Sequence, residues 1–132
     1  MAEVLKEKAR NYFLIALLAE KMGMRAESGS NYFKALFAVD DLALQEKLKH
    51  APNDHNERFE MLKAHIPALY DITDRLFSTY RRTYTRELSR EELEIVREKV
   101  TEAFKNGAID IPTEEEAFKR IAELAKKRKA AC

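Results

Sequence analysis

The residues best suited to chemistry lie at the end of a predicted helix, where arginines alternate with tyrosines. Arg75, Arg82 and Arg86 are separated by seven and four residues, a spacing that places them on one face of a helix. Tyr80 and Tyr84 lie close to them in the chain. Guanidinium groups suit phosphate, and tyrosine rings stack on nucleobases. The segment therefore predicts a site for a phosphate-bearing ligand, such as a nucleotide or RNA.

The same segment has a second, purely structural interpretation. Cations near the C-terminal end of a helix are stabilised by the helix dipole without any ligand. Tyr80 also fits the apolar stripe of this helix, which consists of Leu69, Ile72, Leu76, Tyr80 and Tyr84. The arginines and tyrosines alone leave both interpretations open.

Histidines and cysteine are the other residue types that could bind a metal or transfer a proton. The sequence has His50, His55 and His65, and Cys132 is its single cysteine. Their spacing gives no set of three or four convergent ligands, so we expect surface histidines, no metal site and no cofactor. No nucleophile elbow and no phosphate loop of the GxxxxGK type occurs either. The sequence therefore predicts no catalytic residue.

Charge and hydropathy narrow the classes of protein to which the chain can belong. The formal net charge is +1 over 132 residues, so any binding to nucleic acid or to an anionic membrane must come from a local patch. Charged residues near the N-terminus and the lack of a run of about 18 apolar residues predict neither a signal peptide nor a membrane span. We therefore expect a cytoplasmic protein.

Apolar residues recur every three or four positions along almost the whole chain, which predicts helices. Glycine and proline number only three each, and this scarcity favours long helices. Ser89 and Glu92 form a capping box, and Asp54 with Glu57 resembles one, so a helix is expected to start at each place. The six predicted helices cover residues 2–22, 26–48, 54–67, 67–85, 89–106 and 113 onwards.

The short predicted loops favour an all-α, up-and-down helical bundle, because they make neighbouring helices antiparallel. Helices one, two, four and five would form the core, and helices three and six would be accessories. Residues 32–39 are apolar almost all round, which is typical of a central helix. We expect one domain over residues 1–132, with residues 113–132 as a C-terminal extension.

Two segments in this order of helices resemble the HEPN family, which consists of small helical bundles from prokaryotes. The segments are the Asn-Tyr-Phe-Lys-Ala-Leu-Phe run at residues 31–37 and the Arg75-x4-Tyr80 pair. Active members of the family are metal-independent ribonucleases with an Arg-x4-6-His motif, often toxins paired with a small nucleotidyltransferase antitoxin. Here Tyr80 stands where the histidine would be, and a tyrosine with a pKa near 10 is a poor base at neutral pH.

The resemblance, which covers about residues 2–104, implies a non-catalytic member whose motif ends in tyrosine. Such members bind nucleotides or RNA, or pair with a nucleotidyltransferase. The resemblance points to Arg75 and Tyr80, and with the clustered Arg82 and Arg86 they form the expected site for a phosphate-bearing ligand. The implied assembly is a homodimer formed through the fourth helix.

Two alternatives to a non-catalytic module remain open. The first is a metal-independent RNA endonuclease that relies on Arg75, with His65 in an atypical arrangement. The second is a purely structural subunit that docks a partner protein through exposed apolar residues such as Phe13, Phe33 and Phe118.

Overall fold

A computed structural model describes residues 1–131, and Cys132 lies outside this range. The described chain forms six helices and no strand, as the all-α prediction requires. None of these helices combines the length and the apolar character needed to cross a membrane. The helices are α1 (Ala2–Lys21), α2 (Arg25–Leu48), α3 (His55–His65), α4 (Pro67–Arg82), α5 (Arg90–Asn106) and α6 (Glu114–Ala131).

Helix α2 is the centre of the bundle, because it packs against α1, α3, α4 and α5. The side chains at residues 32, 33 and 35–39 are buried, and Lys34 is the exposed exception in this stretch. A helix that is covered on all sides has to be apolar on all sides. The structure thus confirms the central position that residues 32–39 predict.

Aromatic rings connect α2 to its neighbours in the core. Phe13 of α1 lies 5.1 Å from Tyr32 and 5.0 Å from Phe104 of α5, measured between ring centroids. Phe33 stacks on Tyr80 of α4 at 4.9 Å. Burial of each phenylalanine contributes about 1.5–3 kcal/mol. Phe13 and Phe33 are therefore core residues, and the idea that they form an exposed docking patch is wrong.

The two predicted helix starts are both observed, but only one is a complete capping box. Ser89 Oγ accepts a hydrogen bond from the Glu92 amide at 3.1 Å, and the Glu92 carboxylate accepts one from the Ser89 amide at 3.0 Å. Asp54 likewise accepts from the Glu57 amide at 2.9 Å. The Glu57 carboxylate accepts a hydrogen bond from the backbone amide of Asn53 and not from that of Asp54. The second hydrogen bond of a capping box is therefore missing at this helix.

Helix α4 ends at Arg82, three residues before the predicted end at Thr85. The Thr83 hydroxyl donates to the carbonyl oxygen of Tyr80 at 2.6 Å, and the chain then leaves the helix in a series of turns. Tyr84 is consequently 71% exposed. The prediction that Tyr84 belongs to the apolar stripe of α4 was wrong because the helical periodicity stops before that residue.

The segment between α4 and α5 is held against the first turns of α2. A Cβ built on Gly29 would lie 2.5 Å from Cδ1 of Leu88, so any larger residue at this position would require the Leu88 side chain to move. Arg25 Nε donates to the carbonyl oxygen of Leu88 at 2.6 Å. The Glu87 carboxylate accepts a hydrogen bond from the amide of Ala26 at 3.0 Å. Glu87 therefore caps α2 at Ala26, which lies 61 residues before it in the chain.

This cap leads to a first prediction. Replacing Glu87→Ala should lower the free energy of unfolding by about 0.5–2 kcal/mol, because an amide at the start of α2 loses its acceptor. Urea denaturation followed by circular dichroism measures the change. The control is Glu98→Ala, which removes an exposed carboxylate from α5 and should change stability by less than about 0.5 kcal/mol. Equal stability of Glu87→Ala and wild type would contradict the capping role.

Candidate functional site

The predicted arginines lie on the outer surface of α4 and of the turns that follow it. We call Arg75, Arg82 and Arg86 the arginine face. All three side chains are exposed. Arg82 and Arg86 both approach the carboxylate of Glu92, at 2.8 and 3.5 Å. A shallow groove beside them is lined by Ser78, Arg81, Arg82 and Thr85.

Glu92 competes with any anionic ligand for the arginine face. The pKa of Glu92 is lowered, mainly by the hydrogen bond from the Ser89 amide and also by the positive charge of Arg82. The carboxylate is therefore ionised at neutral pH and neutralises part of the charge beside it. A phosphate would have to displace Glu92 from Arg82 and Arg86 or share these groups with it.

Tyr80 does not belong to the arginine face, although the sequence grouped the four residues. Successive residues turn by about 100° in a helix, so Tyr80 points about 160° away from Arg82. Its ring is buried against Phe33, and its hydroxyl is 2.7 Å from the hydroxyl of Tyr84. Burial, together with the hydrogen bond to Tyr84, raises the pKa of Tyr80 to about 12.

Tyr80 instead lines a second depression, which sequence reasoning missed. We call it the basic cleft. Helix α1 contributes Lys8 and Tyr12, α2 contributes Lys34, and α3 contributes Arg58. The complete lining consists of Leu5, Lys8, Tyr12, Lys34, Phe37, Ala38, Asp41, His55, Arg58 and Tyr80. Three cationic side chains thus meet aromatic rings in one cleft.

Arg58 is the most tightly held side chain of the basic cleft. Its Nε and Nη2 atoms donate to the two carboxylate oxygens of Asp41 at 2.7 and 2.9 Å, a bidentate pair. The guanidinium carbon also lies 4.7 Å from the centre of the Phe37 ring, within the range of a cation–π contact. Arg58 is largely buried, so its contacts fix its position before any ligand arrives.

The contact between Arg58 and His55 determines which nitrogen of the imidazole carries the proton. Arg58 Nη1 lies 2.6 Å from His55 Nδ1. A guanidinium can only donate, so Nδ1 has to be the acceptor and the proton of the neutral ring resides on Nε2. Burial and the nearby charge of Arg58 both lower the pKa of His55. At neutral pH His55 is therefore uncharged, with Nε2–H as its remaining donor.

Two adjacent acids, Asp40 and Asp41, differ in their charge state. Asp41 is paired with Arg58. Asp40 is completely buried, and one of its oxygens accepts a hydrogen bond from Thr73 Oγ1 at 2.7 Å. Its other oxygen, Oδ1, has no hydrogen-bond partner within the described chain. Burial raises the pKa of Asp40 well above its usual range, which favours the neutral acid. Asp40 does not line the cleft, so Asp41 is the one acidic residue of the described lining, against three cations.

The remaining histidines lie away from the basic cleft lining. His50 is exposed and forms a 2.9 Å contact with the Glu57 carboxylate. His65 is exposed at the end of α3. No group of three or more histidine, cysteine, aspartate or glutamate side chains within residues 1–131 could hold a metal ion.

The sequence contains a partial signal for the basic cleft. Lys34, Phe37 and Asp41 are spaced by three and four residues, so they share one face of α2, and His55 and Arg58 share one face of α3. This spacing identifies each half of the cleft separately. It does not show that the two faces meet each other and Lys8, because that depends on how the helices pack.

Asp40 gives the second prediction. A carboxyl whose pKa is raised on folding stabilises the protein below the pKa of its unfolded form, about 3.9, and loses this contribution as pH rises towards the pKa of the folded form. Replacement by asparagine removes this titration. The stability of Asp40→Asn relative to wild type should therefore increase between pH 5 and pH 8, by up to about 1.4 kcal/mol per pH unit.

Urea denaturation of both proteins across this pH range measures the difference in their free energies of unfolding. His55, Glu57 and Glu92 titrate in both proteins, so their contributions cancel when one free energy is subtracted from the other. A stability difference that is independent of pH would contradict the neutral state of buried Asp40. Thr73→Val is the companion variant, since it removes the hydroxyl that donates to Asp40 but keeps the carboxyl. The pH dependence should persist in that variant.

Comparisons with known proteins add no relative of this chain. No family model matches the sequence. No curated protein and no solved structure matches it either. The basic cleft and the arginine face therefore have to be interpreted from their own chemistry.

Proposed function

We propose that the protein is a non-catalytic module that binds a nucleotide or single-stranded RNA, with its phosphate groups in the basic cleft. The observation that carries this proposal is the convergence of Lys8, Lys34 and Arg58 beside aromatic side chains, with Asp41 as the single charged acid of the lining. Cations that follow a backbone and rings that stack on bases are the two components of single-strand recognition. In this lining Tyr12 and His55 are the rings that are not buried.

The contacts of the basic cleft assign different tasks to its cations. Arg58 is already engaged by Asp41 and His55, so its role is to hold the cleft in shape. Lys8 and Lys34 are exposed and come from different helices, so their ammonium groups are available to a phosphate from two sides. The Nε2–H group of His55 supplies a further donor.

The possible general bases of the basic cleft are protonated or engaged by Arg58, as both carboxylate oxygens of Asp41 are, and this supports binding without catalysis. Proton abstraction needs an accessible lone pair at neutral pH. The lone pair of His55 Nδ1 accepts from Arg58, and the other ring nitrogen carries the proton. Tyr80, with its pKa raised to about 12, stays protonated as well. The endonuclease alternative would require one of these groups to change its state.

The likeness to the HEPN family supports the wider context of this proposal. We propose a tyrosine-ending HEPN-like module that forms a homodimer through α4 and pairs with a small nucleotidyltransferase in a toxin–antitoxin-type system. The arginine face lies on the outer surface of α4 and is the second candidate for the phosphate site. Arg75, Arg82 and Arg86 would bind there, with Tyr80 supporting the helix from the inside.

The third prediction tests binding, its location and the absence of cleavage together. End-labelled single-stranded RNA is incubated with the full chain at low salt without metal and separated on a gel. We expect a shifted, intact band that weakens as salt rises, because phosphate contacts release counterions. Lys8→Ala/Lys34→Ala should weaken binding about tenfold or more, since two charge-assisted contacts are lost.

Matched variants separate the possible outcomes. Lys99→Ala/Lys105→Ala removes two exposed lysines of α5 and should bind like wild type. Loss of binding in Arg75→Ala/Arg82→Ala/Arg86→Ala, but not in the cleft variant, would move the site to the arginine face. Cleavage that disappears with His55→Ala or Arg75→Ala would establish the endonuclease instead. An unshifted band at high protein concentration would favour the structural interaction subunit.

A further inference from the structure

Helix α6 is attached to the bundle along one side only. Among the helices, it packs against α1 alone. Arg10 of α1 contacts the Glu116 carboxylate at 2.7 Å, and Arg120 donates to Asn11 at 3.1 Å. Its apolar side chains are largely uncovered: Phe118, Ile121 and Leu124 are 48%, 50% and 54% exposed. The structure therefore leaves most apolar side chains of α6 outside the core, with Ala117 as the buried exception.

The apolar residues of α6 form a continuous stripe, with residues of opposite charge at its two ends. We call it the α6 stripe, and its seven members follow one another at helical spacing on one face. Glu114 stands at its N-terminal end and Arg128 at its C-terminal end. The members are Glu114, Ala117, Phe118, Ile121, Leu124, Ala125 and Arg128, and all of them except the buried Ala117 are exposed.

Residues at equal distances on either side of Ile121 are similar in size, and those at the two ends of the α6 stripe are opposite in charge. Counting outward from Ile121, Phe118 corresponds to Leu124 at three residues and Ala117 corresponds to Ala125 at four. At seven residues, the acid Glu114 corresponds to the base Arg128. Two copies of this stripe therefore match each other when they run antiparallel. Such self-complementarity is the requirement for an interface with two-fold symmetry.

We propose that the α6 stripe is a self-association surface that pairs antiparallel with α6 of a second copy of this chain. Ile121 of one copy would lie on Ile121 of the other. Phe118 would face Leu124, and Glu114 would pair with Arg128 at both ends. The acidic start of α6, residues 114–116, would also lie beside the basic residues 126–129 of the second copy.

Other arrangements of two α6 helices lose this complementarity. A parallel pair would place Glu114 beside Glu114 and Arg128 beside Arg128. A shift of the antiparallel pair by three or four residues would place a charged end residue against Phe118, Leu124 or a neighbouring alanine, and would break both ion pairs. Charge and size together therefore select one register.

The expected association is weak because the surface is small. Helix α6 has 18 residues and is about 27 Å long. Two such helices bury less than the roughly 1,200 Å² of a stable interface, so a dissociation constant on the order of micromolar or weaker is expected. This surface is separate from the α4 homodimer and from RNA binding, so the proposal does not rest on the proposed function.

The fourth prediction concerns the oligomeric state of the full chain, measured by sedimentation equilibrium over a concentration series. The wild type should show a monomer–dimer equilibrium. Ile121→Asp should weaken it at least about tenfold, because it places two carboxylates at the centre of the interface. Ile95→Asp is the matched control, since Ile95 is also about half exposed but lies on α5. This control should associate like wild type.

A charge exchange tests the register itself. Glu114→Lys and Arg128→Glu should each weaken the homodimer, because like charges then meet at both ends. An equimolar mixture of these two variants should form a heterodimer, in which lysine faces glutamate at one end and arginine faces glutamate at the other. Circular dichroism before and after mixing shows whether α6 is still helical, so that a loss of the helix is not mistaken for a loss of the interface.

Three results would overturn the proposal. They are a wild type that stays monomeric into the millimolar range, an unchanged association in Ile121→Asp, and a mixture of charge variants that does not associate. If the dimer of wild type persisted in Ile121→Asp, association through α4 would remain as its explanation.

Discussion

Helix α2 is stable only when other helices cover it on every side. This requirement determines where the other core helices lie. An uncovered stretch at residues 32–39 would expose several large apolar side chains to water, and burial of each contributes about 1.5–3 kcal/mol. Helices α1, α4 and α5 bring aromatic and aliphatic residues to three of its sides. The short helix α3 adds a further cover.

The position of the basic cleft follows from how α2 is covered. Along the side where α1, α3 and α4 approach it, Phe37 and Tyr80 are buried, while Lys8 and Lys34 remain in water at the rim. Arg58 bridges the two environments, since its guanidinium lies over Phe37 and pairs with Asp41. The guanidinium of Arg58 is therefore held by Phe37, a ring that also closes the core.

Local sequence rules were sufficient for the helices but not for the site. Helical periodicity and capping placed most helix ends within a few residues, because both act over four or five neighbours in the chain. The same rules could not show that Lys8, Lys34 and Arg58 converge, since three helices contribute them. They also grouped Tyr80 with the arginines by proximity in the chain, whereas the rotation of the helix separates them. For α6, periodicity identified the stripe but not that this chain leaves it uncovered.

The cap that Glu87 supplies to α2 also has a consequence for the order of events during synthesis. When α1 and α2 have just been made, the amide of Ala26 lacks its acceptor and Gly29 lacks its contact with Leu88. Both depend on Glu87 and Leu88, which the ribosome adds only after α3 and α4. The start of α2 is thus completed late, and sequence-distant contacts of this kind slow folding relative to purely local ones.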